Sequence, residues 1–152
     1  MENSAANPNS LRWDHTPEEI ATLTDSSLAE WTATIDVIIN LKEDRTFKNT
    51  IEPLAEFEYH SSGIISNIEF YHHASASKEL REASLAAEKK FDDYSIELWM
   101  RYDFYEAIQK YKETSVSSKE WETLDPESQR YVDRILRDFN RNGMHFPQEK
   151  RE

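Results

Sequence analysis

Five histidines are the side chains of this chain best suited to bind a metal ion or to transfer protons near neutral pH. A metal-binding HExxH helix needs two histidines four residues apart with a glutamate directly after the first, so that all three share one face. No two of the histidines have that spacing, so the sequence lacks this motif. The five are His15, His60, His72, His73 and His145.

A second arrangement involves glutamates that accompany three of these histidines. Glu69 and His72 form one ExxH unit, but a di-iron helical bundle needs two such units and two further glutamates. Glu56 and His60 lie four residues apart, and they could join Glu69 and His73 in a cluster. One hypothesis is therefore a metal-dependent helical enzyme with its site at His60, Glu69, His72 and His73. The simpler interpretation is that His72 and His73 end a helix, where positive charge is favoured.

Other patterns typical of enzymes are weak or missing. Asp92 and Asp93 could form an acid–base pair, but adjacent carboxylates in so acidic a chain fit a solvated helix face better. The two glycines, Gly63 and Gly143, cannot build a GxSxG turn or a glycine-rich phosphate loop. We therefore predict no catalytic, cofactor-binding or metal-binding residue in this chain. The aromatic residues could form a peptide-binding surface, yet helical spacing favours packing in the core; the tryptophans concerned are Trp31, Trp99 and Trp121.

Charge and composition exclude several classes of protein. The net charge of −12 opposes binding to nucleic acid or to an anionic membrane, and no local cluster of Lys and Arg stands out against it. The absence of cysteine excludes disulfides, thiolate zinc sites and thiol nucleophiles. No apolar run approaches the length of a membrane span, and residues 1–10 resemble no secretory signal, so we expect a cytoplasmic protein.

The first half of the chain has the pattern of two helices. Thr16 followed by Pro17 and Glu19 predicts a capped helix start. A second helix is expected to begin at Thr46 or Thr50 and to continue to about Tyr71, because apolar residues recur at helical spacing. Pro53 is compatible with that helix only near its first turn. The apolar positions of the two helices are Ile20, Leu23, Leu28, Trp31, Ile35, Ile38, Leu54, Phe57, Ile64, Ile68 and Tyr71.

The second half is dominated by a segment without Gly or Pro, which predicts one continuous helix over Ser77–Lys112 with Ser77 as its N-cap. Its apolar stripe is interrupted by the polar residues Ser84 and Arg101, and it comprises Leu80, Ala87, Phe91, Tyr94, Leu98, Tyr105 and Ile108. The pattern then breaks over residues 113–118, and the run Ser117–Glu120 predicts a capping box before a short turn. A last helix begins after Asp125, and Gly143 is expected to end it in the left-handed conformation. The prediction is an all-α, antiparallel bundle of about four main helices with one long central helix.

Three regions are expected along the chain. Residues 1–10 are predicted to be disordered, because they are rich in Asn, Ser and Ala. Residues 11–147 form the helical domain, and residues 148–152 form a charged tail.

Four blocks of the sequence, in order, resemble the thimet-oligopeptidase-like zinc metallopeptidases, the family that includes neurolysin and saccharolysin. The blocks read LRWDHTPEEI (residues 11–20), TFKNTIEPLAEFEYHSSGI (residues 46–64), SKELREASLAAEKKFDDYSIELWMRYDFYEAI (residues 77–108) and LDPESQRYVDRILRDFNRNGMHFPQEKRE (residues 124–152). The resemblance implies helices that form part of one wall of a deep channel for short peptides. It also implies a full-length enzyme several times longer, whose zinc is bound by an HExxH helix and a further glutamate in the C-terminal part.

No residue of that zinc site has a matching position here, so the resemblance implies a non-catalytic module without its own cofactor, and zinc only in full-length relatives. The alternative is a component of a metalloendopeptidase whose catalytic part lies on a missing or separate chain. Part of the apolar surface would then be uncovered, which favours association. We therefore expect a protein partner or a weak homodimer through an exposed apolar face, with neither nucleic acid nor membrane as partner.

Overall fold

The computed structural model describes residues 11–147 and residue 149, and within them it is helical with no strand. The predicted disorder of residues 1–10 lies outside the described residues, as does the charged tail apart from Glu149. The all-α fold class is confirmed. The elements are α1 (Pro17–Ile39), a π-helix (Phe47–Ile51), α2 (Glu52–Ala74), α3 (Lys78–Trp99), α4 (Tyr102–Ser117), α5 (Glu120–Thr123) and α6 (Pro126–Arg141).

Three helices begin where their capping residues predicted. The backbone N–H of Thr16 donates to Glu19 at 2.8 Å and the Thr16 hydroxyl accepts from the Glu19 N–H at 3.2 Å, which forms a capping box. The Ser77 hydroxyl accepts from the Leu80 N–H at 3.3 Å at the start of α3. Asp125 accepts from the N–H groups of residues 127 and 128 at the start of α6. These side-chain oxygens accept hydrogen bonds from backbone N–H groups of the first turn, which have no acceptor within the helix.

The prediction of one continuous helix over Ser77–Lys112 is wrong, because the chain leaves the helix at Arg101. That residue has extended backbone angles (φ −75°, ψ 107°) and lies between α3 and α4. Its guanidinium donates to both carboxylate oxygens of Asp103, at 3.1 and 2.9 Å, and to Asp36 on α1 at 3.1 Å. These ion pairs also lower the pKa of Asp103 and raise that of Arg101. An antiparallel four-helix bundle around one long helix is therefore not what the structure shows.

The start of the second helical region is a π-helix. Thr46 and Asn49 form a capping box, so Thr46 rather than Thr50 is the first residue of this region. The Glu52 N–H donates to the Phe47 carbonyl, a bond of five residues' span. Pro53 follows directly, and it has no N–H and a ring that clashes with the carbonyl four residues earlier in an α-helix. The wider π turn avoids that clash.

The region after Lys112 also differs from the prediction. Helix α4 continues to Ser117, whose hydroxyl donates to the Glu113 carbonyl at 2.9 Å, so the predicted break and capping box are wrong. Instead Lys119, at φ 66°, precedes α5 without a side-chain cap. Glu120 reaches the π-helix, where its carboxylate accepts from the Phe47 N–H at 3.0 Å. Glu120, which the sequence pattern placed in a local capping box, therefore makes a long-range contact instead.

The end of α6 follows the prediction. Gly143 has φ +79°, in the left-handed region that favours glycine. Its N–H donates to the Asn140 carbonyl at 3.0 Å, and the N–H of Met144 donates to the Phe139 carbonyl at 3.1 Å. These two bonds form a Schellman motif, and the buried Met144 side chain accompanies it.

The chain divides into two compact units, each of which takes residues from several helices. The first comprises residues 1–32 and 56–94, within which only residues from 11 onward are described. Its core contains five buried side chains from α1, α2 and α3: Ile20, Ile68, Tyr71, Ala87 and Phe91. Three of them belong to the predicted stripes of the first two helices. Ala87 and Phe91 belong to the predicted stripe of the segment that forms α3.

The second unit comprises residues 33–55 and 95–152, and aromatic rings from α3, α4 and α6 meet in its core. The Phe139 ring is fully buried, with centroids 4.8 Å from Trp99, 5.3 Å from Phe104 and 5.6 Å from Tyr105. Because α4 restarts after Arg101, it buries Phe104 and Tyr111 as well as the predicted Tyr105 and Ile108. The helix break therefore changes which side chains of this segment form the core.

Arg45, in the charged loop after α1, is buried against the end of that helix. Its guanidinium donates to the carbonyls of Ile38 at 2.7 Å and Ile39 at 3.2 Å. Those carbonyls lie in the last turn of α1, which contains no basic residue of its own. Burial lowers the pKa of Arg45 from its usual value. The side chain thus acts as a cap supplied from the following loop.

Candidate functional site

The side chains of the predicted metal cluster all lie on α2, but the structure does not gather them. His60 and His73 are exposed, whereas Glu69 and His72 are partly buried. Throughout residues 11–147 and 149, no group of three or more His, Asp or Glu side chains is placed to bind a metal ion. The site of the metal-dependent hypothesis is therefore not assembled. Asp92 and Asp93 are both exposed, as a solvated face requires.

Ser84 links α3 to α2 near the predicted histidine cluster. It is fully buried, and its hydroxyl donates toward the carbonyls of Ile68 at 2.7 Å and Glu69 at 3.1 Å. The same oxygen accepts from the backbone N–H of His72 at 2.9 Å. The residue that interrupts the apolar stripe in sequence therefore satisfies backbone groups of the neighbouring helix.

Two further carboxylates lie near Glu69 in this region. Burial and the neighbouring charges of Glu88 and Asp92 raise the pKa of Glu69. The carboxylate oxygen Oε2 of Glu88 lies 3.5 Å from the His72 ring nitrogen Nδ1. Like charges that share a partly buried surface make the ionised form of Glu69 unfavourable in the folded state.

The Glu69→Gln variant is expected to be more stable than the wild type at pH 7. The folded state holds the Glu69 proton more tightly than the unfolded chain, so ionisation above the raised pKa costs stability. As pH falls through that pKa toward the unfolded value, the cost disappears and the two proteins should converge. Thermal melting followed by circular dichroism between pH 4 and 7 measures this.

Glu56→Gln is the matched control for this prediction, because Glu56 is exposed on the same helix. It removes one negative charge from an exposed position of α2. An equal gain in melting temperature for both variants at pH 7, or a gain for Glu69→Gln that persists at pH 4, would contradict the prediction.

The segment before α1 is held against α2 by polar side chains that sequence analysis did not single out. The amide of Asn67 accepts from the Arg12 N–H at 2.9 Å and donates to the Arg12 carbonyl at 3.0 Å. The Tyr71 hydroxyl donates to the same carbonyl at 2.9 Å and lies 2.9 Å from Nδ1 of the buried His15. In the sequence, an Asn on the apolar face of a helix is the signal that could have indicated this contact. Trp13, which precedes α1, packs against Phe70 but remains 55% exposed.

The tryptophans predicted to pack do make contacts within the protein. Trp31 stacks on Phe57 with ring centroids 5.4 Å apart. Trp99 contacts Phe139, and Trp121 lies under the ammonium of Lys112, which is 2.9 Å from its ring centroid. All three are partly buried, which supports the packing interpretation over an aromatic surface for peptides.

The second unit has an open cleft of about 560 Å³ between α4 and the segment that follows α6. Its volume is within the range of ligand sites. Burial, together with Tyr102 and Glu113, raises the pKa of Tyr105 within the cleft. The lining mixes rings with charges of both signs: Tyr102, Tyr105, Glu106, Gln109, Lys110, Glu113, Met144, His145, Phe146 and Pro147. No group in this lining provides a nucleophile activated by a base.

Each unit has one pair of large apolar side chains that lie next to each other and are exposed. Trp13 and Phe70 of the first unit have ring centroids 5.1 Å apart, and Phe70 is 48% exposed. In the second unit, Ile96 and Met100 are 65% and 51% exposed. The Met100 N–H donates to the Ile96 carbonyl, so the two side chains lie one helical turn apart. Each pair offers apolar surface for association.

None of the helices within the described residues combines the length and apolarity that a membrane span requires.

A family model described as the N-terminal domain of neurolysin and thimet oligopeptidase matches residues 18–151. Oligopeptidase PhomG' of Diaporthe leptostromiformis is 32% identical over 139 residues, which cover 90% of this chain and 11% of that protein. The thimet-like oligopeptidase of Dictyostelium discoideum is 35% identical over 111 residues, 73% of this chain and 16% of that protein. Saccharolysin of Saccharomyces cerevisiae is 27% identical over 139 residues, 91% of this chain and 19% of that protein.

These matches cover most of this chain but only between 11% and 19% of the length of the three relatives. They confirm the resemblance of the four sequence blocks. The chain belongs to the neurolysin/thimet oligopeptidase family, of which it contains the N-terminal domain.

Proposed function

We propose that this chain is a non-catalytic helical module, equivalent to the N-terminal part of a zinc oligopeptidase, which works by associating with a protein partner or with a second copy. The observation that carries the proposal is the match to the N-terminal domain alone, over residues 18–151. The exposed apolar side chains among the described residues support it, because they offer surface through which such a module can associate. The lack of cysteine fits the reducing cytoplasm, where we place the module.

Association is proposed to use exposed apolar side chains, of which Ile96 and Met100 form the more exposed pair. Burying them against a partner removes apolar area from water, while the net charge of −12 limits self-association. A weak homodimer is therefore the expected state of the purified chain. Neither nucleic acid nor a membrane is proposed as a partner.

Sedimentation velocity over a concentration series tests whether the module self-associates through these side chains. The wild type should show a monomer–dimer shift that Ile96→Glu combined with Met100→Glu abolishes. The control replaces Trp13 and Phe70 with glutamate and reports whether the other pair contributes. A single compact monomer at every concentration, together with no binding of apolar dye, would contradict association through these residues.

The alternative is that the chain is a component of a metalloendopeptidase whose zinc-binding part lies on a missing or separate chain. The observation that favours it is the small share of each relative that the chain covers. An HExxH-encoding frame downstream of the codon for Glu152 in the genomic sequence would support the alternative.

The purified chain alone is expected not to cleave a short internally quenched fluorogenic peptide when zinc is supplied. The physical reason is that zinc catalysis needs three protein ligands and an open position, and the described residues gather no such group. The measurement compares cleavage with and without a chelator. Chelator-sensitive cleavage by the pure chain would refute the non-catalytic module.

A further inference from the structure

The open cleft of the second unit, of about 560 Å³, is lined mainly by one face of α4. The α4 residues in its lining follow one another at alternating steps of three and one, so their side chains lie on the same side of the helix. Residues 144–147 supply the rest of the lining. The α4 residues concerned are Tyr102, Tyr105, Glu106, Gln109, Lys110 and Glu113.

Tyr105 brings a hydroxyl without a partner to this cleft. The residue is only 9% exposed, and its ring packs against Phe139 with centroids 5.6 Å apart. Its hydroxyl forms no hydrogen bond to any residue that the structure describes. Burial, together with Tyr102 and Glu113, raises the pKa of Tyr105, so the hydroxyl stays protonated at neutral pH. The polar atoms of side chains this buried normally have a hydrogen-bond partner, and a ligand in the cleft can supply one.

Phe146 supplies an aromatic face to the same cleft. Its side chain is 46% exposed, and its ring centroid lies 4.0 Å from that of His145. The contact with His145 covers part of the ring and restricts its movement. The face of an aromatic ring carries the negative part of its quadrupole, so it attracts a cation that lies over it. Met144, which is 2% exposed, adds an apolar group to the lining.

The charged side chains of the lining are two glutamates and one lysine. Glu106 is exposed, and within the described part of the chain it forms no ion pair and no hydrogen bond. Glu113 accepts from the Gln109 amide at 3.3 Å through one of its two oxygens. Lys110 is exposed one turn after Glu106, yet the two form no ion pair in the structure. A cation that enters the cleft therefore meets a carboxylate that no described residue neutralises.

We propose that the cleft binds an organic cation, an ammonium or guanidinium group at the end of an alkyl chain. Glu106 is the counter-ion, the ring of Phe146 lies against the cation, and the Tyr105 hydroxyl accepts from one of its N–H groups. The alkyl chain can contact Met144, as apolar parts of ligands do in such sites. Because each contact lies in an open cleft, we expect a dissociation constant of about 1 mM.

An anion fits the cleft less well, because the two carboxylates outnumber Lys110. The proposal goes beyond association through exposed apolar side chains. It uses neither Ile96 nor Met100, so its outcome does not depend on whether the chain forms a dimer.

The test is an NMR titration of the isotope-labelled full chain with butylguanidinium at low salt and pH 7.5. The shifts should saturate and should be largest at the cleft residues. Glu106→Gln, Phe146→Ala and Tyr105→Phe should each weaken binding by about three-fold, because each removes one of the three contacts. Lys110→Gln should strengthen binding by about two-fold, because it removes a like charge. Circular dichroism checks that each variant folds.

Glu43→Gln is the matched control, because Glu43 is exposed in the same unit but outside the cleft. It changes the net charge as Glu106→Gln does and should leave binding within about 1.5-fold of the wild type. Equal weakening by the two glutamine variants, or shifts that do not saturate, would overturn the proposal. Binding of butyrate or of butanol as tight as that of butylguanidinium would also overturn it, because neither carries a positive charge.

A blocked Gly-Arg-Gly tripeptide distinguishes two sources of the cation. Tighter binding of the tripeptide than of butylguanidinium would support the proposal with a basic side chain of a protein as the ligand. Tighter binding of butylguanidinium would support it with a small free cation as the ligand. A tripeptide with norleucine in place of arginine should not bind, since it keeps the alkyl chain without the charge.

Discussion

Replacing Phe139 with alanine is expected to destabilise the protein by about 3–5 kcal/mol. The side chain is fully buried, and its ring contacts three other aromatic rings, those of Trp99, Phe104 and Tyr105. Truncation loses the transfer free energy of the ring, and it leaves a cavity that three rigid neighbours fill poorly. For a domain of this size the melting temperature should fall by about 10 °C.

Urea denaturation measures the change, with helicity and tryptophan fluorescence as two probes. Phe146→Ala is the control, since it truncates the same type of side chain at a position 46% exposed and should cost less than about 1 kcal/mol. Similar losses for the two variants would show that the aromatic core around Phe139 does not stabilise the fold as the structure indicates.

The Arg45→Met variant is expected to lose about 2 kcal/mol of stability. Methionine can fill much of the volume of the arginine stem, but it leaves the carbonyls of Ile38 and Ile39 without their charged donor. Removing the positive charge also weakens the interaction with the negative end of α1, whose last turn has no basic residue. The loss is expected throughout the neutral pH range because the guanidinium stays charged there.

Arg45→Lys and Lys42→Met are the comparison variants. Lysine supplies charge but not the two-pronged donor, so about half of the loss should return. Lys42 is exposed in the same loop, and its replacement should change stability by no more than about 0.5 kcal/mol. Chemical denaturation of the three variants ranks them, and an Arg45→Met protein as stable as the wild type would show that the buried guanidinium is not a helix cap.

Helix starts and ends were predictable where one local interaction decides them. Thr16, Ser77 and Asp125 cap helices because a side-chain oxygen a few atoms away meets the free N–H groups of the first turn. Gly143 ends α6 because the left-handed conformation is open to glycine without strain. The apolar stripes of α1 and α2 were also readable, because burial follows helical periodicity. These features depend on residues close together in sequence.

Features that depend on distant residues were not predictable. At the helix break, Arg101 pairs with Asp103 two residues later and also with Asp36, which is 65 residues away and lies outside the local sequence pattern. Ser84, a polar interruption of the predicted stripe, and Arg45, in the loop after α1, are both buried against backbone groups of other segments. Local propensity is a weak preference, and a few tertiary contacts override it.

For the candidate site, the sequence by itself determined the family and the absence of an HExxH motif, because motifs depend on residue types and spacing alone. Only the tertiary structure decided that the histidines of α2 do not meet in a metal site among the described residues. Which side of a helix faces solvent, and which side chains converge, depend on the elements packed against it.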